Sequence, residues 1–483
     1  MNKLKAYIPV FFLIYLFADR MLAAEAILPL QIFFPGNFNG KTVELTDNLT
    51  FSSSDAHKIP DLIATFKKEK KNTLVFAAGN NSSIYEPLSF LVKGKIETEL
   101  VKRCEPVAFS ASPSDIEILD LKSDKTHLKN LLFTNAVSKK VPHPFKTFET
   151  WNLDGKTLYF FNFISAALCE HLPIQKWESF EADDFERTLR RLELKFKDSD
   201  ITVSTVYASK EETEKLASTL KRLKGTHFVI NATNEKEFPF YPFTAPIIEG
   251  NVYKFSLKNG NTALPLLNII FKNTGSPRVT LRMLPLDKYN DKTGNNSFSD
   301  FEKQVKDYIF EPFRVISTKE KASTGANYIK PVAHAILTKR ALNTDAALMI
   351  EPNQRHINNN VINLGRLLKA IDNDRIFVIR LKGNTLKKLT ESLVSAYGKD
   401  KIAIAGCEFK YFAGKTVDFK ISGISAESGK TYSLATTQAT LGDSIARNVF
   451  KKDMLQPFNG YFLWDIWKNN LKTIKIPNDL IFE

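Results

Sequence analysis

Short apolar runs alternate with amphipathic stretches through the first half of this chain of 483 residues. Runs over 30–34, 73–77, 107–109, 131–133, 157–163, 201–206 and 227–230, several rich in Val, Ile or Phe, predict buried strands. Between them, 59–70 and 210–223 carry apolar residues at helical spacing opposite a charged face and predict helices. Strands alternating with helices predict a layered α/β domain, in which chemistry gathers at the loops that follow strand ends. Further on, 272–310 is richer in Gly, Asn, Asp, Ser and Lys and is expected to link two domains, entering a helix near Phe298. In the second domain, 375–381 alternates as a strand, Lys382-Gly383-Asn384 turns, and 385–394 continues as an amphipathic helix. The expected boundaries are 27–271 for the first domain, 272–310 for the linker and 311–483 for the second.

The first 26 residues break this pattern. Lys3 and Lys5, an apolar run over 7–17 and the small residues of Leu22-Ala23-Ala24-Glu25-Ala26 form the three parts of an export signal, with cleavage expected after Ala24 or Ala26. The run falls short of the roughly 20 apolar residues that a membrane span needs, and no later segment approaches that length. The expected product is therefore exported, periplasmic or extracellular, without a transmembrane segment. Charge adds one consideration: 67 Lys and Arg against 53 Asp and Glu leave +14, which fits either an ordinary solvated basic exterior or an anionic partner. Three cysteines, Cys104, Cys169 and Cys407, are too few for a disulfide framework or a zinc site. Cys104 and Cys169 could form one bridge or remain buried thiols.

The order of these segments resembles the secreted 5'-nucleotidase and nucleotide-sugar hydrolase family, whose calcineurin-like metallophosphoesterase domain is joined to a smaller nucleotide-recognition domain. The likeness rests on Asn72-Thr73-Leu74-Val75-Phe76-Ala77-Ala78-Gly79, similar to the family's second metal strand and turn, and on Leu132-Phe133-Thr134-Asn135-Ala136, similar to its next core strand. In the second half it rests on 379–388, a strand, glycine turn and helix. The resemblance implies a fold of α/β/β/α layers followed by a smaller α/β domain. It also implies two divalent metals held by Asp, His and Asn from five strand-end loops.

At the matching positions the chain departs from that pattern. The family's Asp-x-His of the first loop is met by Asn37 and Asn39, and the Gly-Asp of the second by Gly79-Asn80. Its Gly-Asn-His aligns with Ala111-Ser112-Pro113, its next metal histidine with Tyr207, and its Gly-His-x-His with Ala232-Thr233-Asn234-Glu235. Of these positions only Glu235 carries a strong cation ligand. The seven histidines include no His-x-His or His-x-x-x-His pair, and His227 is expected to pack within a strand. In the recognition domain the family's stacking aromatics correspond to Ile376 and Thr437, while Arg355 and Asp443 survive from its ligand-binding turns as residues for a phosphate and a ribose hydroxyl.

The acidic stretch over 181–186 is expected to open a helix rather than bind calcium. No Gly-x-Ser-x-Gly elbow and no phosphate-binding Gly-Lys-Ser/Thr loop is present. The expectation is thus an exported relative of 5'-nucleotidases that has lost its two-metal site, uses no cofactor, and acts as a binding or interaction module. Its partner would be a protein, a carbohydrate, an anionic surface or a nucleotide. The freed loops would present Asn37, Asn39, Asn80, Asn81, Ser112, Ser114 and Tyr207 as a neutral polar surface. The alternative is a hydrolase of nucleotides or related phosphoesters that uses an altered metal site around Glu235.

Overall fold

The computed structural model describes residues 28–46, 48, 50–118, 129–139, 143–169, 172–173, 180–232, 241–242, 245–257, 260–271, 276–289, 305–306, 309, 312–315, 342, 344–350, 361–370, 372–450 and 460–470. The expected export signal lies outside them. Two six-stranded sheets form the first unit. One runs in the order Arg278–Pro285, Ala263–Phe271, Leu28–Phe33, Thr73–Ala77, Ala108–Ser110, Leu131–Leu132; the other in the order Ile247–Glu249, Val252–Ser256, Thr226–Asn231, Ile201–Tyr207, Lys156–Ile164, Glu149–Leu153. The strand Arg278–Pro285, inside the stretch expected as a linker, pairs antiparallel with Ala263–Phe271.

Each central strand buries both faces, which explains why it reads as a continuous apolar run instead of an alternating one. Leu30, Ile32, Leu74 and Phe76 point between the sheets, where they meet Leu158, Phe160, Val203 and Phe228. The opposite faces, with Phe33, Val75 and Ala77, pack on Ile59, Leu62 and Ile63 of the helix Ile59–Glu69 and on Leu100 and Val101 of the helix Lys95–Arg103. Phe161, Phe163, Val206 and Val229 do the same against helices Phe185–Arg191 and Lys210–Lys221. The result is the expected α/β/β/α sandwich.

The C-terminal unit centres on a five-stranded sheet in the order Ile402–Ala405, Ala346–Ile350, Thr431–Thr437, Arg375–Lys382, Tyr461–Phe462. Its pleat separates two cores. Leu348, Ile379, Leu381 and Leu434 face the helix Gly383–Tyr397 through Leu386, Leu389 and Leu393. Ala347, Met349, Ile376 and Ala435 face the other way, into a cluster that takes in Trp464 together with Ile84, Phe90 and Ile118 of the first unit. Among the described residues no helix is long and apolar enough to cross a membrane.

Candidate functional site

Parallel pairing of Leu28–Phe33, Thr73–Ala77, Ala108–Ser110 and Leu131–Leu132 in one sheet, and of Lys156–Ile164, Ile201–Tyr207 and Thr226–Asn231 in the other, brings their C-terminal ends to one edge of the sandwich. The first two loops there are bound together along their backbones. Ala78 N donates to Pro35 O at 2.8 Å, Asn37 N to Gly79 O at 2.9 Å, Asn39 N to Asn80 O at 2.8 Å and Gly40 N to Asn81 O at 2.7 Å. Asn37, Asn39 and Asn80 all sit at positive φ, between 55° and 58°. Asparagine tolerates this left-handed region better than most side chains, so these amides have a backbone role. Gly36 is needed for the close approach, since a Cβ there would lie 2.2 Å from Ala78 O.

The side chains of these loops turn inward. Asn80 donates from Nδ2 to Ala232 O at 2.7 Å and accepts at Oδ1 from the Ser114 hydroxyl at 3.1 Å. Tyr207, only 1% exposed, reaches from the end of its strand across the floor of the loops, and its hydroxyl accepts the Gly79 N–H at 2.7 Å. A Cβ on Gly79 would lie 2.7 Å from that oxygen and 2.8 Å from Ser112 Cβ. Burial pushes the Tyr207 phenol well above its ordinary pKa, and the neighbouring Asp115 adds to the shift, so the hydroxyl stays protonated.

Below this floor a relay of polar groups holds the sheets in register. The Ser110 and Thr205 hydroxyls lie 2.6 Å apart, and Thr205 donates to Asn162 Oδ1 at 2.8 Å. Asn162 Nδ2 donates to Ala111 O and Leu132 O, each at 2.7 Å.

Sequence reasoning passed over Asp115. Its Oδ1 accepts from Asn81 N at 3.0 Å, Ser82 N at 2.9 Å and Ser82 Oγ at 2.7 Å, and its Oδ2 accepts from Ser112 Oγ at 2.7 Å. Ser112 Oγ in turn accepts the Asp115 N–H at 3.1 Å, as a helix cap does at the start of Pro113–Ile118. The signal was legible as a Ser-x-x-Asp capping pattern. Burial drives the Asp115 carboxyl upward, and the donors from Ser82, Ser112 and Asn81 oppose that shift.

Paired divalent cations require several carboxylates or imidazoles to replace their water shells. The described residues at this edge do not fit them. The carboxylate of Asp115 already holds four donors, the Asn80 amide is engaged at both ends, and a protonated phenol fills the floor. Among the described residues no three of the His, Cys, Asp and Glu side chains are grouped to hold a metal ion. Thr233 and Glu235 lie outside the described residues.

One expectation is corrected. Asn37, Asn80, Ser112 and Tyr207 are 3%, 6%, 0% and 1% exposed, so the loops do not offer them as a polar surface; Asn80, Ser112 and Tyr207 spend their polar atoms on neighbouring side chains and on the backbone. His227, as expected, is a core residue, bonded through Nδ1 to Thr202 Oγ1 at 2.9 Å, and burial lowers its pKa to about 4. Cys104 and Cys169 are buried thiols, not joined in a disulfide. In the acidic stretch, Asp184 caps the helix Phe185–Arg191 by accepting from Arg187 N, and Asp183 pairs with Arg187 and Arg191.

In the C-terminal sheet Ile376 and Thr437 are direct cross-strand partners, 2% and 3% exposed, and so cannot stand on either side of a ring. Asp443 caps the helix Ser444–Val449, accepting from Ile445 N at 2.9 Å and Ala446 N at 3.2 Å, and its second oxygen accepts the Tyr397 hydroxyl at 2.5 Å. Arg355 lies outside the described residues.

A two-layer sheet sandwich flanked by helices, with its parallel strand ends facing a smaller five-stranded α/β unit, defines the two-domain 5'-nucleotidase fold. Solved structures share it, among them the following three. A putative 5'-nucleotidase from Staphylococcus aureus, in complex with alpha-ketoglutarate, superposes with a TM-score of 0.62 at 10% identity over 93% of this chain and 98% of its own. The NAD nucleotidase of Haemophilus influenzae gives 0.58 at 12% identity, covering 92% of this chain and 96% of its own. A 5'-nucleotidase precursor from Thermus thermophilus gives 0.52 at 12% identity, covering 93% of this chain and 97% of its own. No protein-family model and no curated protein matches the chain.

Proposed function

We propose that this chain is an exported, non-catalytic member of the 5'-nucleotidase fold that serves as a binding or interaction module. The observation that carries the proposal is the Tyr207 hydroxyl. It lies buried at the convergence of the strand-end loops and accepts the Gly79 N–H at 2.7 Å. A phenol that burial keeps protonated cannot take a metal ligand's place without first losing a proton against that penalty. The amides at Asn37, Asn39 and Asn80 support the same reading, because each sits at a backbone position that needs positive φ. With these loops closed on themselves, a partner would be met on other surfaces of the two units.

The test is direct. The full chain, dialysed against Mg, Mn, Zn or Co and then freed of loose ions, is analysed for bound metal and assayed for phosphate release from adenosine monophosphate and for cleavage of NAD. The expected result is no stoichiometric metal and no metal-dependent product. Near two equivalents of metal together with turnover would replace this reading by that of a hydrolase with an altered site built around Glu235.

A further inference from the structure

The strand-end loops do not only close on themselves; they also grip the C-terminal sheet. Arg375, at the start of the strand Arg375–Lys382, lays Nε and Nη2 against the two carboxylate oxygens of Glu117 from the helix Pro113–Ile118. The two side chains are 13% and 4% exposed. The guanidinium's Nη1 donates to Gln438 Oε1 at 2.6 Å and to the Tyr85 hydroxyl at 3.2 Å, so one cation joins two segments of the first unit to two of the second. Burial alone would lower the Arg375 pKa; the Glu117 carboxylate more than offsets it, and the group is held charged. Beside this pair, Asn373 donates from Nδ2 to Ile84 O at 2.6 Å and accepts the Trp464 N–H at 3.0 Å. Phe90 packs edge-on against Phe462 and Trp464, both at 5.4 Å between ring centres.

Joints between domains are by default mobile, unless they are apolar and extensive. This seam has an apolar centre, in which Ile84, Phe90 and Ile118 share a core with Ile376, Phe462 and Trp464. It is sealed by a forked ion pair whose geometry only one relative placement of the units can satisfy. Separating the units would leave a buried guanidinium or carboxylate without its partner until water replaced it, and buried pairs of this kind fix arrangement more than they add stability. Arg375 and Gln438 directly adjoin the paired residues Ile376 and Thr437 in sequence, so the clasp sits where the C-terminal sheet meets the helix Pro113–Ile118 of the first unit.

We propose that the Arg375–Glu117 clasp, backed by Asn373 and Phe90, locks the two units into one rigid body. This goes beyond the absence of catalysis: a chain without metals could still open and close, and this one does not.

The experiment places spin labels at Lys68 of the first unit and Lys388 of the second, both exposed, in the full chain and measures the distance distribution between them. The unaltered chain should give one narrow distance, unchanged by saturating adenosine monophosphate. Glu117→Gln and Arg375→Met should each broaden it, and the reciprocal exchange of Glu117→Arg with Arg375→Glu should recover part of the narrow population. A broad or two-peaked distribution in the unaltered chain overturns the proposal without recourse to any variant, as does a distance that shifts with the nucleotide. Single variants that fold, by their circular dichroism, and still keep the narrow distance overturn the role of the clasp. None of these outcomes depends on whether metal is bound.

Discussion

Tyr207 shows how packing fixes where one polar group goes. It lies at the end of a strand whose residues are all buried, so its ring is fixed by the core and its hydroxyl has one place to go. That place is the Gly79 N–H. Tyr207→Phe would keep the ring and leave a buried N–H without its acceptor, which costs about 1–3 kcal/mol. We expect the urea midpoint to fall by that equivalent with an unchanged m-value, and Gly79→Ala, which forces a Cβ into the same hydroxyl, to be at least as damaging. A Tyr207→Phe chain as stable as the original would remove the hydroxyl from the account. The three asparagines are the counterpart: from sequence they stand as amides where the resemblance implies two acids and a histidine, and only their positive φ reveals that the backbone selects them.

Among the elements, the helix Lys210–Lys221 begins with a reciprocal cap. Ser209 Oγ accepts the Glu212 N–H at 3.3 Å, while the Glu212 carboxylate accepts the Ser209 N–H at 3.1 Å and also the Ser165 hydroxyl at 2.8 Å. Ser209→Ala should cost about 1 kcal/mol and Ser209→Gly only a few tenths, measured by equilibrium unfolding. A loss from alanine no larger than that from glycine would show that the cap does not hold the helix.

This helix was legible in the sequence because its apolar stripe is local; so were Ile59–Glu69 and Thr73–Ala77. Other strands were not legible, and two of them show why. Ala263–Phe271 carries Pro265, a residue that argues against a central strand, yet it pairs on both sides, with Leu28–Phe33 and Arg278–Pro285. Val252–Ser256 contains Lys254, 2% exposed, whose ammonium is met by Glu214 at 2.8 Å and Glu249 at 2.5 Å. A lysine in a buried strand becomes acceptable only when carboxylates from distant segments reach it, and no local pattern contains that information.

For the whole molecule, a buried carboxyl couples stability to pH. Glu97, with no exposed surface, accepts the Thr42 hydroxyl at 3.1 Å, and burial raises its pKa from 4.5 to about 7, helped by nearby Asp115. Between those values the folded chain binds a proton that the unfolded chain has lost. The contribution of Glu97 is therefore fully present below pH 4.5 and is lost as pH rises through about 7. Glu97→Gln, which keeps an uncharged group of the same shape, should leave stability near pH 4 almost unchanged and raise it at pH 8 by about 3 kcal/mol relative to the unaltered chain. Equal stability differences at the two pH values would show that Glu97 does not titrate in this range.

The sequence by itself determined the layered α/β architecture with a second α/β unit, because strand and helix periodicities and capping signals act over a few residues. It also shows which side chains stand where the resemblance implies metal ligands, because residue identity is local information. Only the tertiary structure decided what these positions do: that the amides serve the backbone, that Asp115 and Tyr207 hold the loops closed, and that Arg375 meets Glu117 across 258 residues. These are matters of distance between segments remote in the chain. Burial and hydrogen-bond satisfaction arise where those segments meet, and nowhere along the sequence is that meeting written as a pattern.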